Sequence, residues 1–201
     1  MIYFKRYGGG YQGESSIFDD IKEDDLVMAF FPCTRFSALN MIVFSEKAVN
    51  YRTLDRIDIL KRCMDYNKEQ SDLYQYISEL FILAITRKFK MIVENPYIQP
   101  HFLTMYFPIR PSLIDKDRRL LGDLYCKPTQ YWFLNCEPKN NQISRDITFN
   151  FGYRNKNKNE DKIMETPRGI RRSLIEPKYA ENFIKKYILT KEELRNLEEV
   201  F

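Results

Sequence analysis

A chain of 201 residues, 44% hydrophobic and 30% charged, is long enough to bury one sizeable core and has the composition of a soluble protein. Its net charge of +4, from 32 basic and 28 acidic residues, excludes a general polycation argument for nucleic acid, so any such contact must be local. No apolar run approaches the roughly 18 residues that span a bilayer and no secretory signal opens the chain, so a cytosolic protein with no membrane partner is expected.

Aromatic residues make up 15% of the chain, with 14 Tyr and 15 Phe. Core packing accounts for such a surplus before stacking on bases does. The four cysteines, Cys33, Cys63, Cys126 and Cys136, form no Cys-x-x-Cys pair, and His101 is the sole histidine. That pattern argues against a zinc site and for free thiols in a reducing compartment.

Taken in order, Met1 to Phe4 reads as a short strand and Gly8-Gly9-Gly10 as a turn. No helix-forming segment follows the glycines to aim its amino-terminal dipole at a phosphate. Ser16 to Lys22 reads as one helical turn capped by Ser15 or Ser16. Leu26 to Phe31 is apolar at every position, the pattern of a parallel strand buried on both faces, and it stops at Pro32-Cys33 and a polar turn.

From Leu54 to Lys90 the spacing predicts a helix. Ile57, Leu60 and Met64 form one apolar stripe, and then Leu73, Tyr76, Ile77, Leu80, Phe81, Ala84 and Ile85 follow at three- and four-residue steps. Met91-Ile92-Val93 then reads as a second buried strand, completing the strand-helix-strand crossover of a parallel sheet. It delivers Glu94, Asn95 and Pro96 at its carboxyl end.

Pro100, Pro108 and Pro111 interrupt the next segment, Asp115 to Arg119 is a compact charged turn, and Cys126 to Leu134 is a loop running into another strand. Asn140 to Lys162 is polar, with a low-complexity charged run from Asn155. Pro177 to Tyr187 and Lys191 to Val200 read as two helices, the second capped by Thr190 with Glu193 as its capping-box partner. The expected organisation is an α/β domain over 1–139, a mobile polar segment over 140–165 and a helical segment over 166–201.

Ligands of open α/β sheets bind at the carboxyl ends of the strands, which makes Cys33 and Glu94 a candidate pair. A buried free thiol is the plain account of Cys33, and His101, five residues beyond Pro96, is the only base for cysteine-histidine chemistry. A cysteine and a glutamate on adjacent loops also suit attack on a pyrimidine. The thiolate adds to ring carbon 6, a carboxylic acid at ring nitrogen 3 stabilises the enamine, and carbon 5 becomes nucleophilic.

Phe31-Pro32-Cys33 with Ser37 after one buried strand, and Glu94-Asn95-Pro96 after the next, resemble the Pro-Cys and Glu-Asn motifs of DNA cytosine-5 methyltransferases. Lys127-Pro128-Thr129-Gln130-Tyr131-Trp132 and Arg172 to Ala180 look like segments of the phage and gut-bacterial branch of that family. The resemblance implies a truncated Rossmann-like methyltransferase fold, a mostly parallel sheet flanked by helices. It implies Cys33 as nucleophile and Glu94 as the acid, with Ser37, Asn95, Lys127 and Thr129 near the base or its phosphate, and Arg118 and Arg119 on the DNA backbone. The target base would be flipped out of the duplex.

S-adenosylmethionine is the implied cofactor. The strand, glycine-rich turn and helix that hold it in the family have no room before Asp24, so poor or absent cofactor binding by this chain is expected. Asn95-Pro96 stands where Asn-Val is commoner. Three readings follow: the catalytic half of a split enzyme completed by a second polypeptide; a non-catalytic relative, such as a phage-encoded inhibitor of a host defence nuclease (an anti-CRISPR, for instance); or an α/β domain with Cys33 in its core. A homodimer is a further expectation, because a truncated sheet leaves an unpaired edge or an uncovered apolar face.

Overall fold

The computed structural model describes residues 20–36, 44, 51–97, 101–140 and 175–198. Met1 to Phe4, the triple glycine, the start of Ser16 to Lys22, Ser37 and nearly all of 140–165 lie outside the described residues.

The fold is α/β. Strand β1 (Leu26–Phe30) leads to helix α1 (Arg56–Arg87), β2 (Lys90–Pro96), the short α2 (Phe102–Tyr106), β3 (Leu113–Asp115), a 3-10 turn at Arg118–Leu121 and β4 (Thr129–Leu134). Helix α3 (Pro177–Phe183) runs into a π turn at Ile184–Ile188, and α4 (Lys191–Glu198) follows. The four strands lie in the order β1-β2-β4-β3. β1 and β2 are a parallel pair in the register Leu26↔Lys90 to Phe30↔Glu94. The sheet as a whole is mixed, with one parallel pair, where a mostly parallel sheet was expected.

Position in the sheet explains the burial of each strand. β2 is internal, and Met91, Ile92 and Val93 are all 2% exposed or less. Among the described residues β1 is an edge strand, and its side chains alternate, with Val27 and Ala29 buried while Leu26 and Phe30 are exposed. The expectation that Leu26 to Phe31 is buried on both faces therefore fails along β1, because only an internal strand has both faces and both edges covered.

The chain forms two compact units. The first takes the described residues up to 95, 101–111 and 131–137. In it, α1 starts at Asp55, whose carboxylate accepts from the Asp58 amide at 2.8 Å, as an N-cap should. It ends at Lys88, in the left-handed conformation with φ 61°. Beyond that end, the Asn135 carboxamide donates to the carbonyls of Ala84 and Phe89 at 2.8 Å each, satisfying acceptors that a helix terminus leaves open.

The face of α1 carrying Ile77, Leu80, Phe81 and Ala84 packs into a core with Phe89, Met91, Val93 and Trp132. Each such fully buried aliphatic contributes roughly 1.5–3 kcal/mol. Phe81, Phe107 and Trp132 meet edge to face with centroids 5.1–6.1 Å apart, and the indole N–H donates to the Ile109 carbonyl at 2.8 Å. Ile57, Leu60 and Met64 do not join this core. They are 64%, 64% and 70% exposed, because the helical period sets them on a different side of α1 from Ile77, Phe81 and Ala84.

The second unit takes 96–97, 112–130 and the described residues from 138 onward. The 3-10 turn closes at Gly122, φ +95°, a conformation that side chains with a Cβ rarely adopt. A Cβ there would lie 2.9 Å from Cγ of Lys178, so α3 packs directly on the turn. The Asn182 carboxamide donates to the Leu121 carbonyl at 2.9 Å and the Tyr179 hydroxyl to the Asp115 carboxylate at 3.0 Å. α4 starts with the expected capping box: the Thr190 amide donates to the Glu193 carboxylate at 2.7 Å and the Glu193 amide to the Thr190 hydroxyl at 3.2 Å.

Candidate functional site

Parallel pairing of Phe30 with Glu94 places the two strand ends side by side, so the loop after β1 and the end of β2 emerge together. Two carboxamides hold that loop. Asn95, fully buried, donates to the Phe31 carbonyl at 3.0 Å, and Gln70 of α1 donates to the Arg35 carbonyl at 2.8 Å. Phe36 closes a turn by donating its amide to the Cys33 carbonyl at 3.0 Å, and its own carbonyl accepts from Phe102 at 2.9 Å. Cys33 thus sits between fixed points on either side.

The Cys33 thiol is partly buried. Burial pushes its pKa above the ordinary value, the Glu94 carboxylate pushes it the same way, and a backbone hydrogen bond only partly offsets them. The thiol is therefore protonated at neutral pH. The nearest cation along the loop, Arg35, is engaged with the Glu69 carboxylate and lies over the Tyr66 ring, 4.9 Å from its centroid. Nucleophilic use of Cys33 requires a proton acceptor or a positive charge brought by something else.

His101 does not serve as that base. Its ring is 1% exposed, 6.3 Å from Phe36 by centroids, and neither ring nitrogen has a hydrogen-bond partner among the described residues. Burial lowers its pKa to about 4. It is a neutral core residue at the start of α2.

The remaining sequence candidates belong to the second unit. Arg118 is 3% exposed; its guanidinium contacts the Asp123 carboxylate at 2.7 Å, off hydrogen-bond alignment, and covers the Tyr179 ring at 4.1 Å. As placed, it faces the interior of its unit and no solvent-side phosphate. Arg119 is about one-third exposed and bound to Asp117 through two guanidinium nitrogens, one of them at 2.7 Å, which holds the Asp117 carboxyl below its usual range.

Lys127 is half-buried, with its ammonium 5.2 Å from the Tyr125 ring. Thr129 is buried and donates its hydroxyl to the Lys127 carbonyl at 2.8 Å, so it shapes the loop backbone. The same loop is fixed by Tyr97, whose amide donates to the Pro128 carbonyl at 2.7 Å, and by Gln130, which donates to the Pro96 carbonyl at 2.8 Å.

Cys33, Glu94 and Asn95 are therefore brought together in one unit, while Arg118, Arg119, Lys127 and Thr129 belong to the other; Ser37 lies outside the described residues. The residues that sequence reasoning missed are Gln70 and Arg35. A glutamine on the apolar face of a long helix was the available signal, because a buried amide needs a partner.

Among the described residues there is no glycine-rich turn after a strand of the kind expected to hold S-adenosylmethionine. Gly122 is the one described glycine, and the space against its Cα is filled by Lys178, so no open glycine turn follows a strand there. Among the described residues no cluster of three or more His, Cys, Asp or Glu is placed to hold a metal ion, and no helix is long and apolar enough to cross a membrane. No protein family, curated protein or solved structure matches the chain.

Proposed function

We propose that this chain is a DNA cytosine-5 methyltransferase-like protein that contributes the pyrimidine-facing half of a split enzyme, with the methyl donor held by a second polypeptide. One observation carries the reading: Phe30 pairs with Glu94, and the Glu94 carboxylate acts electrostatically on the Cys33 thiol, so the proposed nucleophile and the proposed acid lie at one strand end. Asn95 supports it by fixing the backbone just before Cys33.

The chemistry assigned to the pair needs no cofactor in its first half. The Cys33 thiol gives its proton to hydroxide, a sulfur-to-carbon-6 bond forms as Glu94 delivers its proton to ring nitrogen 3, and the enamine takes a proton from water at carbon 5. Transfer of the original carbon-5 hydrogen to hydroxide as a proton, breakage of the sulfur–carbon bond to release the thiolate, and return of the ring nitrogen 3 proton to Glu94 regenerate cytosine. Single-stranded or flipped DNA carrying tritium at cytosine carbon 5 should therefore release the label to water, faster at higher pH because the thiol must ionise. Cys33→Ser and Glu94→Gln should abolish release. Absence of release by the folded chain refutes the pair as a pyrimidine-attacking site.

A second reading, a non-catalytic binding module such as a phage-encoded inhibitor of a host nuclease, is favoured by the upward shift of the Cys33 thiol. It requires no label release, and Cys33→Ser with undiminished binding to the target.

A further inference from the structure

α1 carries a second apolar face, opposite the one in the core. Ile57, Leu60 and Met64 at its start and Ile82 and Ile85 near its end are exposed by 49–70% of their surfaces. Asn67, Ser71 and Gln75, all exposed, and the partly buried Ser78 join the two ends into one line without a charged residue. Successive members of the line are three or four residues apart, so all project from one side of the helix.

The line reads the same in both directions from Ser71. Ile57 and Ile85 stand fourteen residues on either side, Leu60 and Ile82 eleven, Met64 and Ser78 seven, Asn67 and Gln75 four. The mean step is 3.5 residues, the period of a seam between two left-handed supercoiled helices. A helix laid antiparallel on such a line meets apolar ends with apolar ends, amide with amide, and a long methionine with a short serine. Ser78 donates its hydroxyl to its own helix at the Tyr74 carbonyl, 2.8 Å, and so needs no partner from outside. Serine at the midpoint lets two backbones approach closely.

The flank beside the line carries charges of both signs. Asp58, Lys61, Asp65 and Lys68 precede Ser71 on that flank and Asp72 and Glu79 follow it, all exposed. An antiparallel copy brings each lysine within two residues, about 3 Å of helix rise, of an acidic residue on the other helix. Asp72 also comes within two residues of its own copy, and Asp65 of Glu79, so the charges of this flank do not by themselves choose the partner. An arbitrary partner protein has no reason to match a pattern that is symmetric about its own centre, whereas a second copy matches it by construction.

We propose that α1 is a dimerisation helix: two copies of this chain pack antiparallel about a two-fold axis at Ser71, with Leu60 of each against the partner's Ile82. The seam runs from Ile57 to Ile85, about 42 Å. This inference is independent of the chemistry assigned to Cys33.

The test is the mass of the full chain in solution, by light scattering after gel filtration. The expected mass is twice 24.3 kDa. Leu60→Lys and Ile82→Glu should each weaken the dimer about 100-fold, and both positions are more than half exposed, so the fold should survive with an unchanged far-ultraviolet spectrum. The double variant L60K/I82E should recover the dimer, since each lysine then faces a glutamate. Ser71→Cys should cross-link to its own copy under mild oxidation, giving a disulfide between the two helix midpoints that the wild type cannot form. A monomer at every concentration, dimers unaffected by either single substitution, or no recovery in the double variant would each overturn the proposal.

Discussion

Asp123→Ala tests what Arg118 does. The carboxylate is fully buried and lies 2.7 Å from the guanidinium, itself 4% exposed, so the substitution leaves an unneutralised cation inside the second unit. Removing one partner of a buried ion pair costs about 3–5 kcal/mol. The Tyr179 ring, 4.1 Å from the guanidinium carbon, returns about 2 kcal/mol at most by cation–π attraction and was already doing so in the wild type. A net loss of about 3 kcal/mol is expected. With a urea dependence of about 1–3 kcal/mol per molar, the unfolding midpoint should fall by about 1–3 M.

Replacing both groups by apolar ones of similar size, Arg118→Met with Asp123→Leu, should recover most of that loss, because the desolvation of two charges is removed along with their attraction. Urea unfolding by circular dichroism reads the stability, and hydrogen exchange over residues 112–130 shows whether the loss is local. A change under about 0.5 kcal/mol in Asp123→Ala, the range of an ordinary surface substitution, refutes the buried-pair account. If Arg118→Ala keeps full stability yet weakens duplex DNA binding and reduces its salt dependence, Arg118 is a phosphate contact instead.

Three further outcomes follow from the structure. Gly122→Ala should destabilise the second unit by more than about 1 kcal/mol, from the positive φ together with the Lys178 contact, and Lys178→Ala should relieve only the contact part, as thermal unfolding will show. Asn95→Ala should cost about 1–3 kcal/mol by leaving the buried Phe31 carbonyl unpaired, and should raise the rate at which iodoacetamide alkylates Cys33; an unchanged rate means that the loop is held by other contacts. His101 is neutral when folded, with a pKa of about 4 against 6.5 when unfolded. Above pH 6.5 neither state is protonated and stability is full; as pH falls from 6.5 toward 4 the unfolded state takes up the proton first, and stability is lost at about 1.4 kcal/mol per pKa unit of depression before levelling off. His101→Phe should flatten stability over that window, and an unaltered slope between pH 4 and 6.5 would falsify this assignment.

Local pattern alone determined much of this protein. The apolar run at Leu26, the three- and four-residue spacing after Leu54 and the Thr190–Glu193 box each specify an element through contacts a few residues apart, and β1, α1, β2 and α4 stand where those signals put them. The strand-helix-strand connection puts Cys33 and Glu94 at the same end of parallel strands, while the adjacency of β1 and β2 and the register Phe30↔Glu94 belong to the folded sheet. What tertiary structure decided was which side of each element is covered. Periodicity gives α1 two apolar faces, and the core took that of Ile77 and Phe81 and left that of Ile57, Leu60 and Met64 outside.

Charge was equally undetermined by sequence. Arg118 and Arg119 are adjacent in a charged turn, yet one is buried against Asp123 and the other clasps Asp117 at the surface of the unit. The protonation of Cys33 likewise depends on burial and on a carboxylate sixty-one residues away. Backbone spacing fixes secondary structure because its hydrogen bonds are local; desolvation and ion pairing depend on groups that meet only once the chain has folded.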